Sequence, residues 1–191
     1  MKKGKIILSM ALLLTFSSGL IAADYIGGQK CKMCHKKEEK GAQYTKWEAT
    51  AHAHSLETLH NEQSAAIVAE LGLAQAAWEA PECLSCHVTG WGKGGYVLGE
   101  LTDPKDVKRN EGLASVSCEA CHQAGSEYKS TKVMQGILAG EIEEASVGML
   151  WHPDEATCLQ CHNEQSPTHK PFAFAERVVE VSHPYPPTAG E

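Results

Sequence analysis

Residues 118–122 read Cys-Glu-Ala-Cys-His, and the same Cys-x-x-Cys-His pattern recurs at 31–35, 83–87 and 158–162. The four copies use all eight cysteines of the chain: Cys31 and Cys34, Cys83 and Cys86, Cys118 and Cys121, Cys158 and Cys161. Each copy ends in a histidine, and these are His35, His87, His122 and His162. Two cysteines at this spacing can form thioethers to the vinyl groups of one haem, whose iron the adjacent histidine then binds. The sequence therefore predicts four covalently attached c-type haems.

Three other uses of paired cysteines explain the repeat less well. A structural zinc site would combine two pairs and would not require a histidine after each one. A thioredoxin-like dithiol needs a βαβ setting that the sequence does not suggest. A disulfide within Cys-x-x-Cys would close a very short loop and add little stability. Four haem sites remain the interpretation that uses every cysteine and every adjacent histidine.

The amino terminus has the features of an export signal. Lys2, Lys3 and Lys5 precede an apolar run at 6–16, and Ala22 and Ala23 supply small residues for cleavage. A retained membrane anchor is the alternative, but the apolar run is short for a span. We therefore expect a signal peptide at 1–23, no stable membrane span after cleavage, and a periplasmic or extracellular protein, since haem is attached to such motifs outside the cytoplasm.

Charge and size limit the partners and the architecture. Loss of the three signal-peptide lysines changes the formal net charge from −7 to −10. An acidic surface argues against nucleic acid and anionic lipid as partners and suits redox proteins with a basic docking patch. The segment 24–191 is too short for four separate haem domains, and only 6% of the chain is aromatic. We expect one tetrahaem domain in which the haems supply much of the apolar core.

The sequence predicts a mainly α protein with few strands, its helices and loops wrapped around four stacked haems. Helix formers dominate three windows: 36–59, interrupted at Gly41, then 64–80, and 127–145, broken near Gly136 and Gly140. Pro81 is expected to end the second helix, and the glycine-rich stretch 89–98 is expected to be a loop with a short hairpin. Residues 103–105 predict a turn. From about residue 167 the proline-rich tail is expected to be extended rather than helical.

Six histidines outside the motifs are candidate distal ligands of the irons: His52, His54, His60, His152, His169 and His183. On a helix, His52 and His54 would face different directions and could serve two different haems. His152 precedes Cys158 by six residues, close enough to cover the fourth haem. Met134 and Met149 are alternative sulfur ligands, but methionine at helical spacing is more typical of core packing.

Segments beyond the haem motifs resemble the tetrahaem cytochrome c-554 family. The first follows the first motif and contains Trp47, Thr50, Ala51, His52 and Ala53. The others surround the second and third motifs: Val88, Thr89, Gly90, Trp91, Gly92, Gly94, Gly95 and Tyr96, then Val116, Glu119 and Gly125. The resemblance implies a compact helical fold with closely stacked haems. It also implies an electron carrier for a hydroxylamine-oxidising enzyme or for another multihaem protein.

The resemblance further implies that His52 is the distal ligand of the third haem and that His152, offset by one residue, approximates the ligand of the fourth. Two features depart from the family. The carboxy-terminal part is shorter and more proline-rich than in the family's carrier, and a distal ligand is missing. Residues 123–151 contain no histidine, whereas the family places a ligand of the first haem there. The distal ligands of the first and second haems thus stay open among His54, His60, His169 and His183. A tail histidine could fold back or could cross to a neighbouring subunit in a homo-oligomer or filament.

The function favoured by these observations is electron transfer through four haems, with no catalytic residue. Two alternatives stay open. By resemblance, the second haem at His87 could be five-coordinate and could reduce a small nitrogen oxide, which would make the protein an enzyme. The protein could also be a subunit of an extracellular cytochrome filament, which would require assembly through the tail.

Overall fold

A computed structural model describes residues 23–183, and this part of the chain consists of helices and connecting turns without a strand. The α-helices are α1 (Gln29–His35), α2 (Gln43–Glu48), α3 (Glu62–Glu70), α4 (Pro81–His87), α5 (Pro104–Glu111), α6 (Cys118–His122), α7 (Thr131–Leu138), α8 (Glu155–Cys158) and α9 (Phe174–Arg177). Short 3₁₀ helices lie at Glu38–Lys40, Ala51–His54, Glu57–His60, Glu144–Val147 and Val178–Glu180. The predicted mainly α class is confirmed. The predicted signal peptide, apart from Ala23, lies outside the described residues.

Each cysteine pair lies on a short helix or on the turn that continues it. Helices α1, α4 and α6 each contain both cysteines and the histidine of a motif. Helix α8 ends at Cys158, and the backbone N–H groups of Cys161 and His162 donate to the Cys158 carbonyl at 3.1 and 3.0 Å. Because residues three apart share one face of a helix, the two cysteines of each motif lie on the same side of the helical turn.

Two of the predicted helices are shorter than expected. The window 36–59 is interrupted at Gly41 and Ala42, which have φ angles of 94° and 50°, so that α2 begins only at Gln43. The second helix, α3, ends at Glu70 because Gly72 turns the backbone into the left-handed region, with a φ of 66°. The prediction that Pro81 ends a helix is wrong, since this proline begins α4.

The predicted turn, loop and tail agree with the structure only in part. The predicted turn at 103–105 is the start of α5, where the Asp103 side chain accepts a hydrogen bond from the Lys105 N–H at 2.7 Å. The loop at 89–98 is confirmed, although its expected hairpin does not form strands. The tail is not extended throughout, because α9 and the 3₁₀ turn Val178–Glu180 lie within it.

The side-chain core lies mainly around α3 and α4. Five buried residues form it: Leu59, Val68, Ala77, Leu84 and Val88. In contrast, no residue between 138 and 183 is buried. The carboxy-terminal third of the described chain thus has no apolar interior of its own. None of the helices within residues 23–183 combines the length and apolarity needed to cross a bilayer.

Candidate haem-binding site

Three motif histidines are oriented by a hydrogen bond at Nδ1. His87 Nδ1 lies 2.6 Å from the Ser55 carbonyl oxygen, and His122 Nδ1 lies 2.8 Å from that of Leu150. His35 Nδ1 lies 3.3 Å from Gln43 Oε1. A histidine that donates from Nδ1 presents Nε2 as the metal-binding nitrogen, and such an orienting partner is usual for metal-bound histidine. These three imidazoles therefore present the nitrogen that would bind a haem iron.

The four motifs meet in one cluster. Cys31 in the first motif and Cys118 in the third lie close together, and their interaction raises the pKa of Cys31 and lowers the pKa of Cys118. Between the second and fourth motifs, the proximity of Cys161 lowers the pKa of Cys86 to about 6. These pairings bring the haem-attachment positions of sequence-distant motifs side by side.

Ser55 fixes the second motif relative to the third. Its hydroxyl donates to the His87 carbonyl at 2.9 Å and accepts from the Val116 N–H at 2.9 Å. Its own carbonyl is the partner of His87 Nδ1. Thr89, directly after the second motif, adds a second connection, because its hydroxyl donates to the Ser115 carbonyl at 2.6 Å. Both residues lie between two motifs and hold them together.

Glu119 lies inside the third motif and holds the segment that leads into the first. Its carboxylate accepts from the N–H groups of Ile26, Gly27 and Gly125, with shortest distances of 2.9, 2.7 and 2.7 Å. The residue is only 1% exposed, and burial raises the pKa of its carboxyl group despite these bonds. Since Gly28 N–H also donates to the Gly112 carbonyl at 2.9 Å, the amino-terminal segment is held at two points.

Two of the six distal candidates lie beside motif histidines. The ring centroids of His52 and His162 are 6.0 Å apart, and those of His183 and His122 are 5.8 Å apart. Desolvation lowers the pKa of all four imidazoles, which favours the neutral form that binds a metal, although His162 and His183 are exposed residues. The resemblance assigned His52 to the third haem, but here its ring lies against the histidine of the fourth motif.

The other four candidates are placed differently. His54 is exposed, and its two ring nitrogens lie 3.1 Å from Glu57 Oε2 and 3.3 Å from the Glu48 carbonyl oxygen. His60 stacks on Trp78 with a centroid distance of 4.6 Å, and it shares a cleft of about 410 Å³ with His54. His152 and His169 are exposed. His152 is close enough to His122 to influence its pKa, although its predicted haem is the fourth. Ligation by these histidines stays a prediction.

The residues present fit four c-type haems. All eight cysteines are free of disulfides and only partly buried or exposed, so each pair is accessible to a porphyrin edge. Each pair is followed by a histidine, and three of these histidines direct Nε2 away from a hydrogen-bonded Nδ1. The thin side-chain core leaves apolar area for the porphyrins to cover.

The sequence did not reveal which residues would hold the motifs in place. Ser55, Glu119 and the Leu150 carbonyl carry out this role. Glu119 is one of the family-like residues, but the resemblance assigned no role to it. Glu119 occurs within a motif, where its position alone does not indicate burial. A backbone carbonyl, as at Leu150, gives no sequence signal at all.

This arrangement of four motifs defines a multihaem c-type cytochrome, and comparison with known proteins agrees. The family model described as Cytochrome c554 and c-prime matches residues 30–123, which contain the first three motifs. Cytochrome c-554 of Nitrosomonas europaea is 37% identical over 165 residues, or 80% of this chain. The chain spans 64% of the length of that relative.

The fold agrees as well. The solved structure of the reduced state of cytochrome c554 from Nitrosomonas europaea is similar, with a TM-score of 0.55 and 29% identity. The similarity covers 83% of this chain and 78% of that one. The chain belongs to the cytochrome c-554 family, and the predicted cofactors, four c-type haems, are confirmed.

Proposed function

We propose that this protein transfers electrons through its four c-type haems, outside the cytoplasm. The observation that carries the proposal is the convergence of the motifs: the Ser55 hydroxyl joins His87 of the second motif to Val116 beside the third. The Thr89 hydroxyl, directly after the second motif, donates to Ser117 Oγ, directly before the third, at 2.9 Å. Haems attached at adjoining positions lie close together, and closeness governs the rate of electron transfer. The haem irons supply the one-electron chemistry, and the chain supplies attachment, ligation and burial.

Each proposed role belongs to a particular atom. The eight cysteine sulfurs hold the porphyrins covalently. The motif histidines bind iron through Nε2, and the acceptors at Ser55, Gln43 and Leu150 fix the ring orientation and increase the basicity of the bound imidazole. No residue is required to act as an acid, a base or a nucleophile.

The proposed partners are redox proteins that donate and accept electrons. The acidic composition supports this, because it favours a transient complex with a basic docking surface and a fast, salt-dependent association. A five-coordinate iron at His87, and assembly into a filament, stay predictions from the family resemblance.

The test is to count haems and electrons in the exported protein. Intact mass spectrometry should find four haems bound per chain, and a reductive titration should take up four electrons. A variant with Cys83→Ala and Cys86→Ala is the matched control and should lose one haem and one electron. Fewer than four haems in protein from a host that matures cytochromes c, or electrons that do not pass to a redox partner, would contradict the proposal.

A further inference from the structure

We propose that the buried carboxylate of Glu119 lowers the reduction potentials of the haems held by the first and third motifs. The inference rests on the proposed electron transfer and concerns the potential at which two of the four haems take part in it. It follows from the charge of Glu119, from its burial, and from its position between the two motifs.

The first argument is that Glu119 carries a negative charge. Its Oε1 accepts from the N–H groups of Ile26 and Gly125 at 2.9 and 2.7 Å, and its Oε2 accepts from the Gly27 N–H at 2.7 Å. Hydrogen bonds donated to both oxygens favour the ionised form of a carboxyl group. Desolvation raises the pKa of this carboxyl group, but the three N–H groups and the Arg109 guanidinium oppose that rise. Glu119 is therefore a carboxylate at neutral pH.

The second argument is that the carboxylate lies between two haem-attachment residues. Glu119 directly follows Cys118 of the third motif, and the Gly27 N–H that it binds lies directly before Gly28. The Gly28 carbonyl accepts from the Cys31 N–H at 3.0 Å, in the first turn of α1. A side-chain carbon at Gly28 would lie 3.8 Å from Cys118 Sγ, so the start of the first motif packs directly on the third.

The third argument is that the charge of Glu119 acts on both sulfurs. The pKa of Cys31 is raised mainly by Cys118 and by desolvation, and the Glu119 carboxylate adds to that rise. The pKa of Cys118 is lowered by Cys31, and Glu119 acts in the opposite direction. In the haem-loaded protein these two sulfurs are the attachment atoms of the first and third haems. A charge that reaches both sulfurs also reaches the edges of both porphyrins.

The fourth argument is the contrast with the other two motifs. After desolvation, Glu82 raises the pKa of Cys83 in the second motif, and Asp154 raises the pKa of Cys158 in the fourth, but both carboxylates are exposed to solvent. Glu119 is only 1% exposed, and charges interact more strongly where little water screens them. A ferric haem has one more positive charge than a ferrous haem, so a nearby buried anion stabilises the ferric form and lowers the potential.

The experiment compares Glu119→Gln with Glu119→Asp in a spectroelectrochemical titration of the haem-loaded protein. Glutamine keeps the shape and loses the charge, so two of the four potentials should rise. We expect the ferric–ferrous equilibrium of each to shift by roughly tenfold, or about 59 mV for one electron. Aspartate keeps the charge but is too short to reach all three N–H groups. It should lower the stability while leaving the potentials near those of the parent.

Arg109→Gln tests the sign of the effect. The Arg109 guanidinium donates to the Gly94 carbonyl at 3.3 Å and lies close enough to Glu119 to act on its pKa. Its removal leaves the carboxylate charge less compensated, so the two potentials that rise in Glu119→Gln should fall in this variant. A role of Glu119 that was only structural would not reverse the sign between the two variants.

Three results would overturn the inference. One is a set of four unchanged potentials in Glu119→Gln. The second is an equal shift in Glu119→Gln and Glu119→Asp, which would follow the lost hydrogen bonds and not the lost charge. The third is a shift of the same sign in Arg109→Gln. Intact mass and a reductive titration of the parent separate the two proposals, because a haem or an electron missing there counts against the proposed function and not against the role of Glu119.

Discussion

Leu84 and Leu159 occupy the same place in two copies of one motif, directly after the first cysteine, yet their surroundings are opposite. Leu84 is 0% exposed and belongs to the apolar cluster around α3 and α4. Leu159 is 42% exposed and lies in a region where no residue is buried. The second motif is thus supported by side chains, whereas the fourth has only its haem and its neighbours to support it. The same pentapeptide therefore occurs once in a well-packed setting and once in a largely exposed one.

The first and third motifs also differ from each other at the position after the first cysteine. In the third motif this place belongs to Glu119, which is buried and bonded to three backbone N–H groups. In the first it belongs to Lys32, whose Nζ lies 3.8 Å from Glu48 Oε1 and 5.0 Å from the ring centre of Tyr44. The position after the first cysteine does not bind haem. It therefore varies according to what each motif packs against.

The largest effect is expected from Glu119→Ala. The substitution would leave the N–H groups of Ile26, Gly27 and Gly125 without their acceptor, and each unpaired buried donor costs about 1–3 kcal/mol. We expect the free energy of unfolding of the haem-loaded protein to fall by about 4 kcal/mol. Guanidinium denaturation followed by circular dichroism would measure the change.

Glu119→Gln is the matched control for that substitution. Glutamine has the same shape but only one acceptor oxygen, so about half of the loss is expected. If alanine and glutamine were both tolerated without a measurable change in the denaturation midpoint, the attachment of the amino-terminal segment to the third motif would not depend on this carboxylate.

A smaller effect is expected from the leucine pair. Leu84→Ala removes a fully buried side chain and should cost about 3 kcal/mol, because it loses apolar burial and leaves a cavity. Leu159→Ala should cost less than about 1 kcal/mol, since much of that side chain is already in water. Parallel denaturation of the two variants measures the difference. Equal losses would mean that the fourth motif is as well packed as the second.

The smallest effect is expected from Lys32→Gln in the first motif. The ion pair with Glu48 is long and exposed, with 38% and 46% of the two side chains accessible to solvent. Such pairs contribute about 0–1 kcal/mol, and salt weakens them further. We expect a loss below about 0.5 kcal/mol that disappears at high salt. A loss as large as that of Leu84→Ala would show that the stem of Lys32 packs more closely than its exposure indicates.

The sequence predicted the haem-attachment residues better than it predicted the helices that carry them. Four motifs at fixed spacing gave the haems, the cysteines and the four adjacent histidines, because covalent attachment is a local requirement. The helix limits were less predictable: the interruption at Gly41 was expected, but Gly72 ended the second window of helix formers well before Pro81. Proline 81 was interpreted as a helix end although it begins α4, because proline is compatible with both positions.

The pairing of distal histidines lay beyond the sequence for a different reason. Six candidates and four irons allow many combinations, and spacing along the chain does not say which ring faces which motif. His52 and His162 are 110 positions apart in sequence, yet their rings lie beside each other. His183 and His122 are also far apart in sequence, and their rings also lie beside each other.

By itself, the sequence determined that this is a helical protein with four covalent haem sites, since a pentapeptide of cysteines and histidine binds haem through residues that lie within two turns of helix. Only the tertiary structure decided which motifs touch, which oxygen atom orients His35, His87 and His122, and why Glu119 is buried while Leu159 is not. These properties depend on residues far apart in the chain. They are set by packing and hydrogen bonding among all four motifs together, which no single copy of the motif encodes.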